Sequence, residues 1–260
     1  MIRTITQAIL LFFIILPNSK IIGQNFDPSR IRLRRITYLT SNLDSLTRSF
    51  LKKGFKIKQG KREPGGVFSN LVLLRNGSEI TLETTLSTDS KDWRWNALKK
   101  YGAHISGLAF EVDSIDKFYS LVKSGQIEVS ELDSNRYGTY RSYMTYLFAL
   151  DSCLPLDVVF ISKDTSQQIP SLEFDSLSHH KNNVFRFDWV LLSASPIIET
   201  RMRKFFEIIG AIKQHGGCYD FWRVGPADDF CFFRFEPPLA KTKGINDWLS
   251  VEPDNIYFAY

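Results

Sequence analysis

A segment that reads as strand, then amphipathic helix, then further strands recurs along this chain, and that repetition constrains its fold more than any single motif. The first copy opens on a strand at Leu33 to Thr40. It continues into a helix from Leu43, with Leu46 and Phe50 on one face, which Gly54 ends. Strands are expected at Phe55 to Gln59, Leu71 to Arg75 and Ile80 to Thr85. Asn76-Gly77 forms the turn between the last two, because this pair tolerates positive φ. The second copy opens at His104 to Val112 and passes through Asp113, read as a helix cap, into a helix ending near Val122. Strands at Ile127 to Glu131, Tyr143 to Leu150 and Leu156 to Ile161 would complete it. Polar residues around Ser162 to Ser178 read as a linker, and 163–182 is taken as the boundary between the first domain and the third module.

A third, divergent copy occupies 183–260. Phe187 to Leu192 forms its first strand, and Ser195-Pro196 starts a helix with Pro at the first helical position. Ile198, Met202, Phe205 and Ile209 make that helix's buried stripe. Tyr219 to Val224, Phe230 to Phe235 and Asn255 to Ala259 are its expected strands, and the Phe-rich hairpin reads as core rather than as a ligand box. The class is therefore α+β, with repeated βαβββ modules. Its 43% hydrophobic and 14% aromatic residues suffice for a real core and argue against disorder.

Residues 1–23 read as a secretory signal peptide. Arg3 precedes the apolar stretch Ala8 to Leu16, then Pro17, and Gly23 stands before Gln24. That stretch is short for a bilayer span, and nothing later is apolar enough to be one, so the expected product is an exported, soluble protein, periplasmic or secreted. The net charge of +5 falls to +3 once Arg3 and Lys20 leave with the leader, which does not point to nucleic acid. The run Arg30, Arg32, Arg34, Arg35 reads as a solvated strand edge, with an anion patch as the alternative. Cys153, Cys218 and Cys231 are odd in number. A turn centred near Ala227 would set Cys231 opposite Arg223, so buried thiols are favoured over a Cys218–Cys231 bridge.

The stretch Arg35-Ile-Thr-Tyr-Leu-Thr-Ser-Asn-Leu, then Gly54-Phe, Gly60-Lys-Arg-Glu-Pro-Gly-Gly-Val-Phe-Ser-Asn70 and Ile80-Thr-Leu-Glu83, resembles the glyoxalase-like members of the vicinal-oxygen-chelate superfamily. The resemblance covers residues 33–162 well and 184–260 weakly. It implies that the modules at 31–162 pair into a curved mixed sheet with helices outside, around a cavity where a divalent metal ion meets a small-molecule ligand. It also places ligands on the first and fourth strands of each module. Matching Asp44 to Asp113 carries Arg35 onto His104, and the fourth strands place Glu83 and Asp157 at the carboxylate positions.

Arg35 departs from the pattern, since a permanent guanidinium cannot ligate a metal. Three readings stay open. Arg35 pairs with Glu83 in a degenerate site; or it binds an acidic ligand; or Glu83, Asp157 and His104 complete a metal centre without it, as in a metal-dependent lyase or dioxygenase. If Arg35 faces the cavity, Thr37 joins it and Tyr38 packs against the helix, while Thr81 and Thr85 accompany Glu83. Asn70 is a ligand-binding candidate whose bridging of loop and sheet is the plainer reading, and Trp93 and Trp95 would lid the cavity or pack between modules. His179 and His180 read as a surface pair, and His215 as a turn residue. A non-catalytic module acting through protein contact is the third functional class. Three modules leave one over, which either a homodimer or an appended half-sheet would accommodate.

Overall fold

The computed structural model describes residues 30–63, 66–89, 91–124, 140–146, 157–163, 171–193, 196–217, 219–236, 249–252 and 255–259. The signal-peptide reading, Cys153, Cys218 and the strand expected at Ile127 to Glu131 lie outside them.

The first repeat is β1 (Arg32–Leu39), α1 (Leu43–Lys52), β2 (Lys58–Glu63), β3 (Val67–Leu73) and β4 (Glu79–Thr85). Helix α2 (Trp93–Tyr101) follows. The second repeat contributes β5 (His104–Glu111), α3 (Ile115–Ser124), β6 (Tyr140–Tyr146) and β7 (Asp157–Lys163). These strands form one mixed sheet of order β2-β3-β4-β1-β5-β7-β6, in which β1 runs parallel to β4, β5 parallel to β7, and β1 antiparallel to β5. Two modules thus meet along their first strands, as the repeat requires. The turn before β4 forms as the dipeptide demands: Gly77 sits at φ +83° and the Asn76 side chain accepts from the Ser78 amide.

Helix α4 (Ser171–Ser178) lies where polar composition suggested only a linker. Beyond it come β8 (Trp189–Ser193), α5 (Pro196–Ile208), β9 (Ile212–Gly216), β10 (Tyr219–Val224), β11 (Cys231–Glu236), β12 (Leu249–Glu252) and β13 (Asn255–Ala259). Their sheet has the order β12-β13-β8-β11-β10-β9, with β8 parallel to β11. The third βαβββ unit is therefore completed by β9, not by Asn255 to Ala259. That segment forms β13 on the opposite edge of β8. The sequence hides β9 because Ile-Lys-Gln-His-Gly is an edge strand with mostly exposed side chains and no apolar alternation. His215 stands in this strand, bonded through Nδ1 to Asp220 at 2.6 Å.

Both sheets give one face to a single core. Leu33, Ile36 and Tyr38 of β1, Leu108 and Phe110 of β5, and Val158 and Phe160 of β7 belong to the same buried cluster as Met202, Phe205, Phe206, Trp222 and Phe233. Phe110 lies 5.7 Å from Phe205 and 5.9 Å from Phe233, so aromatic packing crosses directly from the first sheet to the third module. Within the β10–β11 hairpin, Cys231 faces Val224 rather than Arg223. The one-residue difference puts the thiol on the core side, where burial pushes it well above its ordinary range.

Arg30 is solvated, but Arg32, Arg34 and Arg35 form neither a solvated edge nor an anion patch: they lie on a strand inside the sheet, partly buried and paired with carboxylates. Arg30 pairs with Asp113, Arg34 bonds Glu111 at 3.2 Å and Asp229 at 3.2 Å, and Arg32 approaches the same two carboxylates. Arg34 also donates to the Asn76 carbonyl at 2.7 Å. These contacts tie β1 and β5 to the β10–β11 turn and add a polar seam at the edge of the shared core.

Candidate functional site

Alternation along β1 sends Ile36 and Tyr38 into the core, and burial pushes the Tyr38 phenol upward. Arg35 and Thr37 face the other way and line a cavity of about 50 Å³ together with Glu83, Trp93, Arg94 and Ser106. The sheet's outward face thus carries the polar wall that alternation predicts.

Register decides which side chains meet there. In the parallel β1–β4 pair, Arg35 stands opposite Glu79, Thr37 opposite Thr81, and Leu39 opposite Glu83. Arg35 donates through Nε to Glu79, and Glu83 accepts from Arg94 Nε at 2.6 Å. The expected Arg35–Glu83 pair is replaced by these two, because Glu83 lies four residues further along the strand than the carboxylate Arg35 meets. Arg94 comes from α2, and its guanidinium also lies 4.8 Å over the Trp93 ring.

Helix α2, which apolar periodicity does not reveal, covers the Glu83 end of this face. Its N-cap Asp92 accepts from the Arg94 amide and from the Thr85 hydroxyl, both at 2.9 Å. Ala97 and Leu98 pack on Leu39 in a small cluster separate from the main core. Polar residues Asp92, Arg94 and Asn96 interrupt the apolar pattern, so periodicity alone gives this helix little signal. Beneath it, the Ser106 hydroxyl is 1% exposed as a residue and, like Thr81 Oγ1, has no hydrogen-bond partner among the described residues. An unmet buried hydroxyl costs about 1–3 kcal/mol. The cavity has room for about three water molecules, one of which would satisfy the Ser106 hydroxyl that lines it.

The other candidates fall elsewhere. His104 begins β5 opposite Leu39; it is buried, its Nδ1 lies 2.7 Å from the Gly102 carbonyl, and its ring meets Tyr101 edge-on at 6.0 Å. Neither Asp44 nor Asp113, the two positions matched between the modules, caps its helix. Asn42 caps α1 with 2.9 Å to the Ser45 amide, and the Ser114 hydroxyl reaches the Lys117 amide at the start of α3. Equivalent strands begin at Arg32 and His104, so Arg35 corresponds to Gly107 rather than to His104. Gly107 stands opposite Asp157 as Arg35 stands opposite Glu79, which makes Glu79 and Asp157 the matching fourth-strand positions. The Asp157 side chain lies outside the described residues.

Asn70 points to the helix side of β3. Its Oδ1 accepts from the Gly60 amide at 3.3 Å and its Nδ2 donates to Thr47 of α1 at 2.9 Å, so it fastens sheet to helix and does not face the cavity. Among the described residues, no three His, Cys, Asp or Glu side chains gather closely enough to hold a metal ion. No helix of the described residues is long and apolar enough to cross a membrane.

No family model matches the chain, and no curated protein matches it in sequence. Solved structures do match it. A hypothetical protein from Staphylococcus aureus aligns over 88% of this chain and 98% of its own at 11% identity, with a TM-score of 0.54. A xylose isomerase-like TIM barrel/4-hydroxyphenylpyruvate dioxygenase fusion protein aligns over 83% of this chain and 34% of its own at 10% identity, with a TM-score of 0.52. A methylmalonyl-CoA epimerase from Mycobacterium tuberculosis covers 55% of this chain and 91% of its own at 16% identity and a TM-score of 0.41. At such identities the first two likenesses speak to architecture alone: this chain shares with those structures a mixed α+β fold, here built from βαβββ modules on mixed sheets.

Proposed function

We propose that this chain is an exported glyoxalase-like protein that binds a small molecule on the outward face of its first sheet, without a resident divalent cation. The observation that carries this reading is the double ion pair, Arg35 to Glu79 and Arg94 to Glu83. In this fold a bound cation would supply the positive charge that holds a ligand's oxygens. Here two guanidiniums already balance the two described carboxylates, and a metal at Glu83 would have to displace Arg94 from a partly buried 2.6 Å bond. The described residues therefore do not fit a divalent ion. Guanidinium groups and the hydroxyls of Thr37 and Ser106 are suited instead to hydrogen-bond a polar ligand directly.

Elemental analysis after incubation with zinc or manganese and exhaustive dialysis tests this. Less than about a tenth of an ion per chain is expected. One tightly held ion per chain, lost on Glu83→Gln, would replace this reading with a metal-dependent lyase or dioxygenase.

Export rests on the basic start, short apolar run and small residue at 23 in the sequence. Expression of the full chain in a bacterial host should yield a processed protein outside the cytoplasm, beginning near Gln24 on N-terminal sequencing. Recovery of only the unprocessed chain inside the cell would contradict it.

A further inference from the structure

The third module carries a second face that the proposed function leaves unused. Strands β8, β11 and β10 give Val190, Phe233, Cys231, Trp222 and Val224 to the core, each at most 3% exposed. Their alternate residues face away from it, and register lines those up in two rows. One runs from Trp189 through Phe232 to Arg223; the next runs from Leu191 through Arg234 to Phe221. The rings form a contiguous platform: Trp189 lies 4.7 Å from Phe232 and 5.4 Å from Phe221, and Phe232 meets Phe221 edge-on at 5.2 Å. Gly216 on the neighbouring β9 makes this possible, since a Cβ there would fall 2.7 Å from the Phe221 ring.

Unlike the core rings, Trp189, Phe221 and Phe232 are only partly buried. A guanidinium stands in each row, and no acidic residue occupies either one, including the β9 and β13 positions that extend them: Ile212 and Tyr257 in the first, Gln214 and Ala259 in the second. Arg223 lies 5.6 Å over the Phe230 ring, and its Nε is buried with no hydrogen-bond partner among the described residues. A buried, unmet N–H on a weakly hydrated cation favours an anionic acceptor, while the rings favour a flat one.

Dimensions narrow the class further. Three strands span about 10 Å and successive same-face residues lie about 7 Å apart, an area that matches one or two fused rings. A protein partner would need on the order of 800 Å² on its side, roughly ten times more, and a nucleic-acid strand would need a longer track of cations than two.

We propose that this face is a second binding site, for a small conjugated organic anion that stacks on Trp189 and Phe232 and places its charge on Arg223. The test is a calorimetric titration of the full mature chain with three probes. These are 2-naphthoate, the uncharged 2-naphthalenemethanol and the non-planar anion cyclohexanecarboxylate. Naphthoate is expected to bind at least tenfold more tightly than either of the others. Arg223→Gln should bring its affinity down to that of the alcohol, and Trp189→Leu should weaken both aromatic probes by a similar factor. Arg94→Ala, on α2 beside the first sheet, should change neither. Absence of naphthoate binding, equal affinity for the alcohol, or sensitivity to Arg94→Ala would each overturn the proposal. Should Arg223→Gln prove misfolded by circular dichroism, Arg223→Lys decides instead: it keeps the charge but removes the planar fork, and a loss of naphthoate preference of severalfold is required.

Discussion

Replacing Phe205 by Ala is expected to destabilise the whole molecule by about 3–5 kcal/mol in a denaturant titration, the range for truncating a fully buried aromatic ring. Phe205 projects from α5 and is 0% exposed. Its ring touches Phe110 and Phe160 of the first sheet, at 5.7 and 5.6 Å, and Phe206 of its own helix at 5.5 Å. A cavity there cannot be closed by either half alone, since its walls belong to both. The loss should therefore appear in one cooperative transition, with fluorescence and far-UV circular dichroism giving the same midpoint. Phe205→Leu, which keeps most of the volume, should cost less than half as much. A loss below about 1 kcal/mol, or two separate transitions, would mean that the two sheets do not share the core described here.

What could be read from the sequence followed from local regularity. Helix α1 was visible from Leu46 and Phe50, α5 from Met202, Phe205 and Ile209, and the β3–β4 turn from Asn76-Gly77, because each is fixed by neighbours a few residues away. Strand alternation puts Thr37 on the same face as Arg35, and both line the cavity with Glu83. Glu83 itself is singled out by the family resemblance, and the Thr81 and Thr85 that alternation sets beside it do not line that cavity. Register was not legible. It comes from pairing between distant strands, so the sequence does not distinguish Glu79 from Glu83 as the partner of Arg35, and a turn centred near Ala227 is one residue out of step with the observed Cys231–Val224 pairing. The same error concealed the aromatic platform, since a single step decides whether Phe232 or Phe233 enters the core. Arg94 was hidden for a different reason: it lies on α2, whose polar residues blur the helical period.

His180 shows how far a polar segment can mislead, and it yields the other large effect. Composition places it on the surface, yet it is only 4% exposed and works as a peg between three elements. Its Nδ1 accepts from the Lys56 amide at 3.0 Å, and its Nε2 lies 2.8 Å from the Leu73 carbonyl, which it can meet only as the donor. Adjacent bonds from the Lys181 amide to the Gly54 carbonyl and from the Asn182 side chain to the Lys53 carbonyl fasten the same segment to the end of α1. His180→Ala strands a buried donor and a buried acceptor, and about 3 kcal/mol of stability should be lost.

Protonation threatens the same arrangement, because a charged ring has no lone pair left for the Lys56 amide. Burial, first of all, holds His180 below the ordinary imidazole value of 6.5. The charges of Lys56, Arg75 and His179 push the same way, and the bond to Leu73 opposes them. Between the folded and unfolded values, the unfolded chain binds the proton and the folded chain does not. Stability must therefore rise with pH across that window and fall as pH drops below about 6.5. Chemical denaturation of the native chain at pH 7.5 and pH 5.5 should show this fall. His180→Gln, which cannot titrate, should be less stable at the higher pH and lose less on acidification. An equal pH dependence in both proteins would mean that the imidazole is not held neutral between β3 and the α1–β2 connection.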